Sequence, residues 1–139
     1  MRYETTVEIA AATPKVWAAL MEVERWPEWT ASTTSIERLD EVPLALGSEV
    51  RIKQPKLRAL VWAVTEFDEG RSFSWTSRSG GLRTLAEHRL EPRGESTAVT
   101  LSIDQSGFLA RIVAVVTSGM TRRYVDTEAQ GLKARCEAP

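Results

Sequence analysis

Apolar and polar side chains alternate over residues 2–10, at the start of the chain. One face of this segment carries Tyr3, Thr5, Val7 and Ile9. Strict alternation predicts a strand with one buried face. Six later segments also have the pattern of strands, and they span residues 33–40, 48–54, 58–67, 71–78, 82–91 and 96–104. The last three turns between them are short enough for hairpins, so strands four to seven are predicted to form an antiparallel meander.

Helical spacing replaces the alternation in two regions. Residues 14–21 and 23–28 predict two short helices after the first strand, with Thr13 as the cap of the first helix and Pro14 in its first turn. The second region predicts one long helix, which begins at Gly107 and ends near residue 135. Its apolar stripe consists of Leu109, Ile112, Val113, Val116, Met120 and Tyr124.

Together these elements predict an α+β fold in a single domain over residues 1–139. A chain of 139 residues is in the size range of one domain. A seven-stranded antiparallel sheet has one face to bury, and one long amphipathic helix is available to cover it. Because a curled sheet does not close tightly on a single helix, we expect a cavity between the two.

Charge and cysteine content limit the classes of partner. Basic and acidic side chains number 18 and 19, with no basic stripe, which argues against nucleic acid. Cys136 is the single cysteine, as expected for a reducing compartment. The N-terminus has no apolar signal core, and the longest apolar run, about Ile112 to Val116, is too short to span a membrane. We therefore expect a cytoplasmic protein without a membrane span.

Several short motifs follow one another in order along the chain. They are Thr13-Pro14 with Val16-Trp17, Val23-Glu24-Arg25-Trp26-Pro27-Glu28-Trp29, Leu46-Gly47-Ser48, Trp62-x-Val64-Thr65-Glu66, Phe73-x-Trp75 and Gly107. With the order of the elements, they make the chain resemble the START-like superfamily, also called SRPBCC or helix-grip proteins. Within it, the chain is most similar to the bacterial polyketide cyclase/dehydrase type, and the resemblance covers essentially the whole chain.

The resemblance implies a helix-grip fold, in which a seven-stranded curved antiparallel sheet wraps around a long C-terminal helix. Two short helices are then expected between strands one and two. It also implies an apolar cavity, since members bind lipids, sterols, polyketides or aromatic metabolites, and some catalyse cyclisation or dehydration. The superfamily shares no set of catalytic residues, so the resemblance implies a cavity and no particular active site.

Strand alternation and the helical stripe suggest which side chains line that cavity. Gln54 shares the apolar face of its strand and is expected to point inward. Trp62 and Trp75 are candidates for ligand contact, because aromatic walls suit flat or lipid-like ligands, although core packing is an equal alternative. Both faces of strand 58–67 are apolar, so the pattern does not choose the face that lines the cavity.

The other candidates are on the last helix or are tryptophans near the N-terminus. Val116, Met120 and Tyr124 are expected to line the cavity; the Tyr124 hydroxyl either faces the ligand or reaches the surface. Trp17 is expected to anchor the first helix on the sheet. Trp26 and Trp29 are expected to plug the corner beside the cavity mouth.

His88, the only histidine, is the main candidate for catalysis. Its ordinary pKa suits a general acid or base, although a core histidine with one hydrogen bond is the alternative. Glu66 is the second candidate. A lone histidine without neighbouring ligands predicts no metal site, and the sequence has no phosphate loop or dinucleotide motif, so we expect no cofactor.

Three functions fit these observations. The first is binding of a hydrophobic or aromatic small molecule, such as a lipid or polyketide-like compound, between sheet and helix. The second is a cyclase or dehydratase that acts in the same cavity, with His88, Gln54, Glu66 and Tyr124 as the polar groups. The third is a protein-interaction or chaperone-like module, in which the groove holds an apolar segment of a partner. A homodimer is compatible with each of them.

Overall fold

The computed structural model describes residues 1–40 and 43–139, and within them the chain forms seven strands and three helices. The strands are β1 (Arg2–Ile9), β2 (Ser35–Arg38), β3 (Glu49–Lys53), β4 (Leu60–Asp68), β5 (Ser72–Ser79), β6 (Leu82–Arg93) and β7 (Ser96–Ser106). The helices are α1 (Thr13–Met21), a 3₁₀ helix (Val23–Glu28) and α2 (Ala110–Glu137). The predicted helix-grip architecture is confirmed, including the two short helices between the first two strands. None of the described helices is long and apolar enough to cross a membrane.

The strands form one antiparallel sheet in the order β1-β7-β6-β5-β4-β3-β2. The predicted meander of strands four to seven is confirmed. Strand β1 forms one edge of the sheet and pairs with β7, where Val7 faces Val99. Antiparallel order places the β3–β4 loop, the β5–β6 turn and the start of α2 at one end of the molecule. The short helices lie at the opposite end.

The start of α1 differs from the prediction in its cap. Ala12 occupies the capping position in an extended conformation and makes no side-chain capping bond. The Thr13 hydroxyl instead lies 3.0 Å from the hydroxyl of Thr97, which is fully buried and donates to the Ala11 carbonyl at 2.9 Å. The prediction of Thr13 as a cap was therefore wrong, because a buried hydroxyl on β7 engages it; Pro14 lies in the first turn as expected.

A bulge in β4 settles which of its faces points inward. Val64 pairs with Trp75, but the next pair joins Glu66 to Ser74, so Thr65 is an extra residue in the strand. Before the bulge, Leu60, Trp62 and Val64 lie on the inner face; after it, Phe67 takes that face opposite Phe73. Glu66 is exposed and outside the cavity. Strict alternation would put Glu66 on the same face as Trp62, but the bulge reverses the alternation, so the prediction of Glu66 as a catalytic residue in the cavity was wrong.

The start of α2 is rotated relative to the predicted stripe. The helix begins at Ala110 rather than Gly107, and Val116 is 79% exposed. At 3.6 residues per turn, Val116 lies roughly 100° from the middle of the face that meets the cavity. Residues 109–116 are apolar on nearly every side, so periodicity alone could not orient the helix. The prediction of Val116 as a cavity residue was therefore wrong.

Trp17 anchors α1 on the sheet, as expected, with its ring centroid 5.7 Å from that of Phe67 and 6.2 Å from that of Phe73. Trp26 is almost completely buried, and its indole N–H donates to the Leu20 carbonyl at 3.1 Å. The 3₁₀ helix thereby places an indole over the inner face of the sheet, close to Trp75.

Candidate functional site

A cavity of about 200 Å³ lies between the inner face of the sheet and α2. Its sheet side is formed mainly by apolar and aromatic side chains of β3 to β7. Its helix side is formed by residues at helical spacing, which are Val113, Thr117, Met120, Thr121, Tyr124, Val125 and Glu128. The part of α2 over the cavity therefore presents several polar groups to it.

Six of the residues nominated from the sequence line this one cavity: Gln54, Trp62, Trp75, His88, Met120 and Tyr124. Trp26 joins them from the 3₁₀ helix. Glu66 and Val116 lie elsewhere, for the reasons given above. The structure therefore brings most of the nominated residues together, while their roles stay a prediction.

The two ends of the cavity differ in exposure. Trp26 and His88 are buried at one end, whereas Leu57, Leu82 and Val113, at the other end, keep part of their surface in solvent. The cavity is thus closed at the Trp26 end and opens between the β3–β4 loop, the β5–β6 turn and the start of α2. Trp26 belongs to the closed end, so its expected position beside the mouth was wrong.

His88 sits in an aromatic cage at the closed end. Its ring stacks on Phe73 with a centroid distance of 4.2 Å and an angle of 6°. The rings of Trp75 and Trp26 approach it edge-on at 5.3 and 5.6 Å. Burial among these rings lowers the pKa of His88 to about 4, and the hydrogen bond to the Phe73 carbonyl opposes this shift by a smaller amount. His88 is therefore neutral at pH 7.

Glu128 faces His88 from α2, with its Oε2 atom 3.7 Å from Nε2 of His88. Its side chain is only 18% exposed, and burial raises its pKa to about 8. The carboxyl group is therefore mostly protonated at pH 7. Sequence reasoning missed Glu128, although the spacing of Met120, Tyr124 and Glu128, four residues apart, places all three on one helix face.

The hydrogen bond to Phe73 sets the orientation of this pair. The Nδ1 atom of His88 lies 3.3 Å from the Phe73 carbonyl, which can only accept, so Nδ1 carries the proton. Nε2 is then an unprotonated acceptor directed at Glu128. The 3.7 Å gap is longer than a hydrogen bond and leaves room for a hydroxyl group or water to bridge the two side chains. The pair thus offers a base and an acid at one point of an apolar cavity.

Two further polar groups distinguish the open end. The Oε1 atom of Gln105 is buried and has no hydrogen-bond partner among the described residues, which leaves an acceptor in the cavity wall. The Tyr124 hydroxyl donates to the carbonyl of Pro55 in the β3–β4 loop. It therefore ties α2 to the loop rather than pointing at a ligand.

No group of histidine, cysteine, aspartate and glutamate within residues 1–40 and 43–139 is arranged to hold a metal ion. Cys136 is buried near the end of α2, away from the cavity lining. The chemistry available at the site is therefore that of the His88–Glu128 pair and the cavity wall.

Comparison with solved structures shows the same fold in proteins of distant sequence. The Zhui aromatase/cyclase from Streptomyces matches with a TM-score of 0.81 and 18% identity, over 99% of this chain and 93% of that chain. A START superfamily protein from Mycobacterium smegmatis matches with a TM-score of 0.76 and 19% identity, over 98% and 97%. A hypothetical protein from Helicobacter pylori matches with a TM-score of 0.80 and 16% identity, over 97% and 86%. At these identities the likeness concerns the fold.

Comparison of the sequence with curated proteins finds no significant match. Comparison with protein families finds one. The profile of the family described as polyketide cyclase / dehydrase and lipid transport matches residues 1–137, which is nearly the whole chain. The chain therefore belongs to this polyketide cyclase/dehydrase and lipid transport family.

Proposed function

We propose that this protein binds a small aromatic or hydrophobic molecule in the cavity between the sheet and α2. The observation that carries the proposal is the wall of Trp26, Trp62 and Trp75 around a cavity that is closed at one end. Indole faces pack well on flat apolar ligands, and a mostly apolar pocket with a few polar groups is the usual form of a ligand site.

The size of the cavity limits the ligand. An apolar protein cavity of about 150 Å³ admits benzene, and sites for drug-sized ligands span about 300–1,000 Å³. A volume of about 200 Å³ therefore suits one or two fused rings, or the end of an acyl chain. A longer molecule would project through the open end, past Gln105.

Titration with 2-naphthol by isothermal calorimetry tests this proposal. We expect saturable binding at one site. Thr84→Trp places an indole in the cavity and should weaken binding by about ten-fold or more, which corresponds to about 1.4 kcal/mol. Leu85→Trp is the matched control, because Leu85 is the next residue on β6 and points to the other face of the sheet.

The absence of binding in a folded protein, or equal losses in both tryptophan variants, would contradict a ligand site at this position. Native mass spectrometry of the freshly purified protein gives an independent measurement, since a copurified small molecule would be lost in the Thr84→Trp protein.

A second candidate function is dehydration of a bound β-hydroxy ketone, and the His88–Glu128 pair favours it. Nε2 of His88 would take the proton from the carbon next to the ketone. Protonated Glu128 would give its proton to the β-hydroxyl group, which leaves as water while a carbon–carbon double bond forms. The released water then bridges the two side chains, which lie 3.7 Å apart, and carries the proton back from His88 to Glu128.

The compound 3-hydroxy-1-tetralone is a suitable probe, because loss of one water gives 1-naphthol and two fused rings fit the cavity. Activity should be highest between about pH 4 and 8, where His88 is neutral and Glu128 is protonated. Replacement of either side chain by Gln should lower the rate by about 100-fold or more. Glu66→Gln is the control carboxylate, exposed and outside the cavity.

Binding of the tetralone without any release of 1-naphthol would leave the protein as a binder and remove the catalytic candidate. Equal rates in Glu128→Gln and Glu66→Gln would do the same, because the carboxyl group would then have no part in the reaction.

A further inference from the structure

Four apolar side chains project into solvent where α2 begins. Phe108 and Val115 are 85% exposed, Val116 is 79% exposed, and Ile112 is 64% exposed. From Phe108 to Val116, successive members are four, three and one positions apart, so the four side chains lie on one side of the helix start. Isolated exposed apolar residues are ordinary, but a contiguous group on one surface indicates an interaction site. We call these four residues the docking tip.

The docking tip lies on the side of α2 that faces away from the cavity. Val113 and Thr117, on the same two turns, line the cavity mouth. The first turns of α2 are thus apolar toward the cavity and also toward solvent. A helix that is apolar on all sides is normally buried. The outer side of these turns is exposed to water instead, although its side chains favour an apolar environment.

Contacts join the docking tip to the two neighbouring loops. The Phe108 ring lies against the backbone of Gly81, and the Leu109 N–H donates to the Gly81 carbonyl at 3.1 Å. Arg58 of the β3–β4 loop donates to the Ser79 hydroxyl at 2.5 Å. The β3–β4 loop, the β5–β6 turn and the start of α2 therefore form one continuous surface around the cavity mouth.

The three segments that form this surface carry only positive charges. Residues 53–59, 78–83 and 107–123 contain eight basic and no acidic side chains, although the whole chain has a net charge of −1. The exposed members form a basic rim around the docking tip, which comprises Lys56, Arg58, Arg78, Arg83, Arg111, Arg122 and Arg123. None of the rim residues forms a salt bridge within the part of the chain that the structure describes.

We propose that this end of the molecule docks on an anionic phospholipid bilayer, with the docking tip between the headgroups and the basic rim against the phosphates. Apolar side chains flanked by lysine and arginine are the combination that binds at an anionic interface. A second copy of the chain is disfavoured, because it would bring two basic rims together. A bilayer needs no groove to receive four projecting side chains, whereas an acidic protein partner would.

Docking in this orientation brings the cavity mouth close to the lipid, because the mouth and the docking tip lie at the same end of the molecule. The surface goes beyond the proposed function and does not depend on which ligand the cavity holds. Its test therefore uses vesicles and no cavity ligand.

Co-sedimentation with phosphatidylcholine vesicles, with and without phosphatidylglycerol, measures the docking. We expect binding to the anionic vesicles at low salt and release at high salt. The double substitution Ile112→Asp with Val115→Asp should weaken binding by about ten-fold or more. Leu46→Asp is the matched control, because Leu46 is 67% exposed in the loop at the opposite end of the molecule. Arg78→Gln and Arg83→Gln should each weaken binding by about five-fold.

Failure of the wild-type protein to sediment with anionic vesicles would overturn the proposal, and so would equal losses in the Leu46→Asp protein. Light scattering after gel filtration supplies the competing outcome: a dimer that the Ile112→Asp, Val115→Asp protein loses would assign the docking tip to a second copy. If 2-naphthol does not bind but sedimentation does occur, the cavity proposal fails while the docking surface stands.

Discussion

At the scale of single residues, two buried titratable groups lie side by side in the cavity wall. His88 and Glu128 are both neutral at pH 7, because removal from water disfavours the charged form of each. Neutral partners avoid the large cost of two charges in an apolar cavity. The pair is therefore uncharged in the folded protein at pH 7.

The same two groups predict how stability depends on pH. Between about pH 6.5 and 8 the folded chain keeps a proton on Glu128 that the unfolded chain has lost, so stability should fall as pH rises, by at most about 1.4 kcal/mol per pH unit. Between about pH 4.5 and 6.5 the proton missing from His88 offsets the extra proton on Glu128. Thermal unfolding across this range should show a plateau and then a decline.

Two variants test whether Glu128 causes the fall in stability above pH 6.5. Glu128→Gln should remove the loss of stability above pH 6.5, because no carboxyl group remains to ionise. Glu66→Gln, on the exposed face of β4, should retain it. A decline that persists unchanged in the Glu128→Gln protein would mean that another group titrates in this window.

Sequence reasoning found one member of this pair and missed the other. Alternation along β6 places His88 on the same face as Ala86 and Leu90, because that information is local to the strand. The contact with Glu128 joins β6 to α2 across forty residues of chain, and only the docking of the helix on the sheet creates it. The sequence around His88 therefore cannot predict that Glu128 is its partner.

At the scale of elements, two glycines in α2 differ in their surroundings. A Cβ atom at Gly131 would lie 1.9 Å from the carbonyl oxygen of Trp29, so glycine there permits close approach of the helix to the corner after the 3₁₀ helix. A Cβ atom at Gly119 would meet only the Arg123 guanidinium, at 3.6 Å, which is an ordinary contact.

Alanine substitutions at these two positions should therefore have opposite effects. Gly131→Ala should destabilise the protein by about 1–3 kcal/mol, because the helix must shift away from Trp29. Gly119→Ala should stabilise it by about 1 kcal/mol, through helix propensity alone. Urea unfolding of both variants measures the two changes, and similar values for the two would contradict the close approach at Gly131.

The elements were largely predictable, and their orientation was not. Alternation and turn residues located all seven strands within a few residues of their observed bounds. The apolar stripe of α2 pointed to Val116, because its first turns are apolar on both sides. The inner face of β4 was ambiguous for the same reason. Periodicity can orient an element only when one of its faces is polar.

At the scale of the whole molecule, charge is segregated although the totals nearly balance. The end that holds the cavity mouth is basic, and most acidic side chains lie on the outer face or at the opposite end. Net charge alone suggests a molecule without preference for either sign of surface. The separation of charges gives the basic end a positive potential, which attracts a negatively charged surface.

Ion-exchange chromatography tests this separation. At pH 7 and low salt we expect the protein to bind a cation-exchange resin despite its net charge of −1, and to elute near physiological salt, where the Debye length is about 8 Å. Substitution of Lys56, Arg78 and Arg83 by Gln should abolish retention. Substitution of Lys15, Lys133 and Arg135, which are near the other end, should change it less. Equal losses in the two triple variants would show that retention follows total charge.

The extra residue at Thr65 divides β4 into two parts whose side-chain alternation is opposite. Even-numbered residues face inward before it and form the cavity wall, whereas odd-numbered residues face inward after it and support Trp17 through Phe67. A one-residue insertion or deletion in the first part would move Trp62 to the outer face of the sheet. Loss or gain of the extra residue at Thr65 would then keep Phe67 on the inner face. The bulge thus separates the two parts of β4, so the cavity wall can change length or composition during evolution while the contact that anchors α1 is kept.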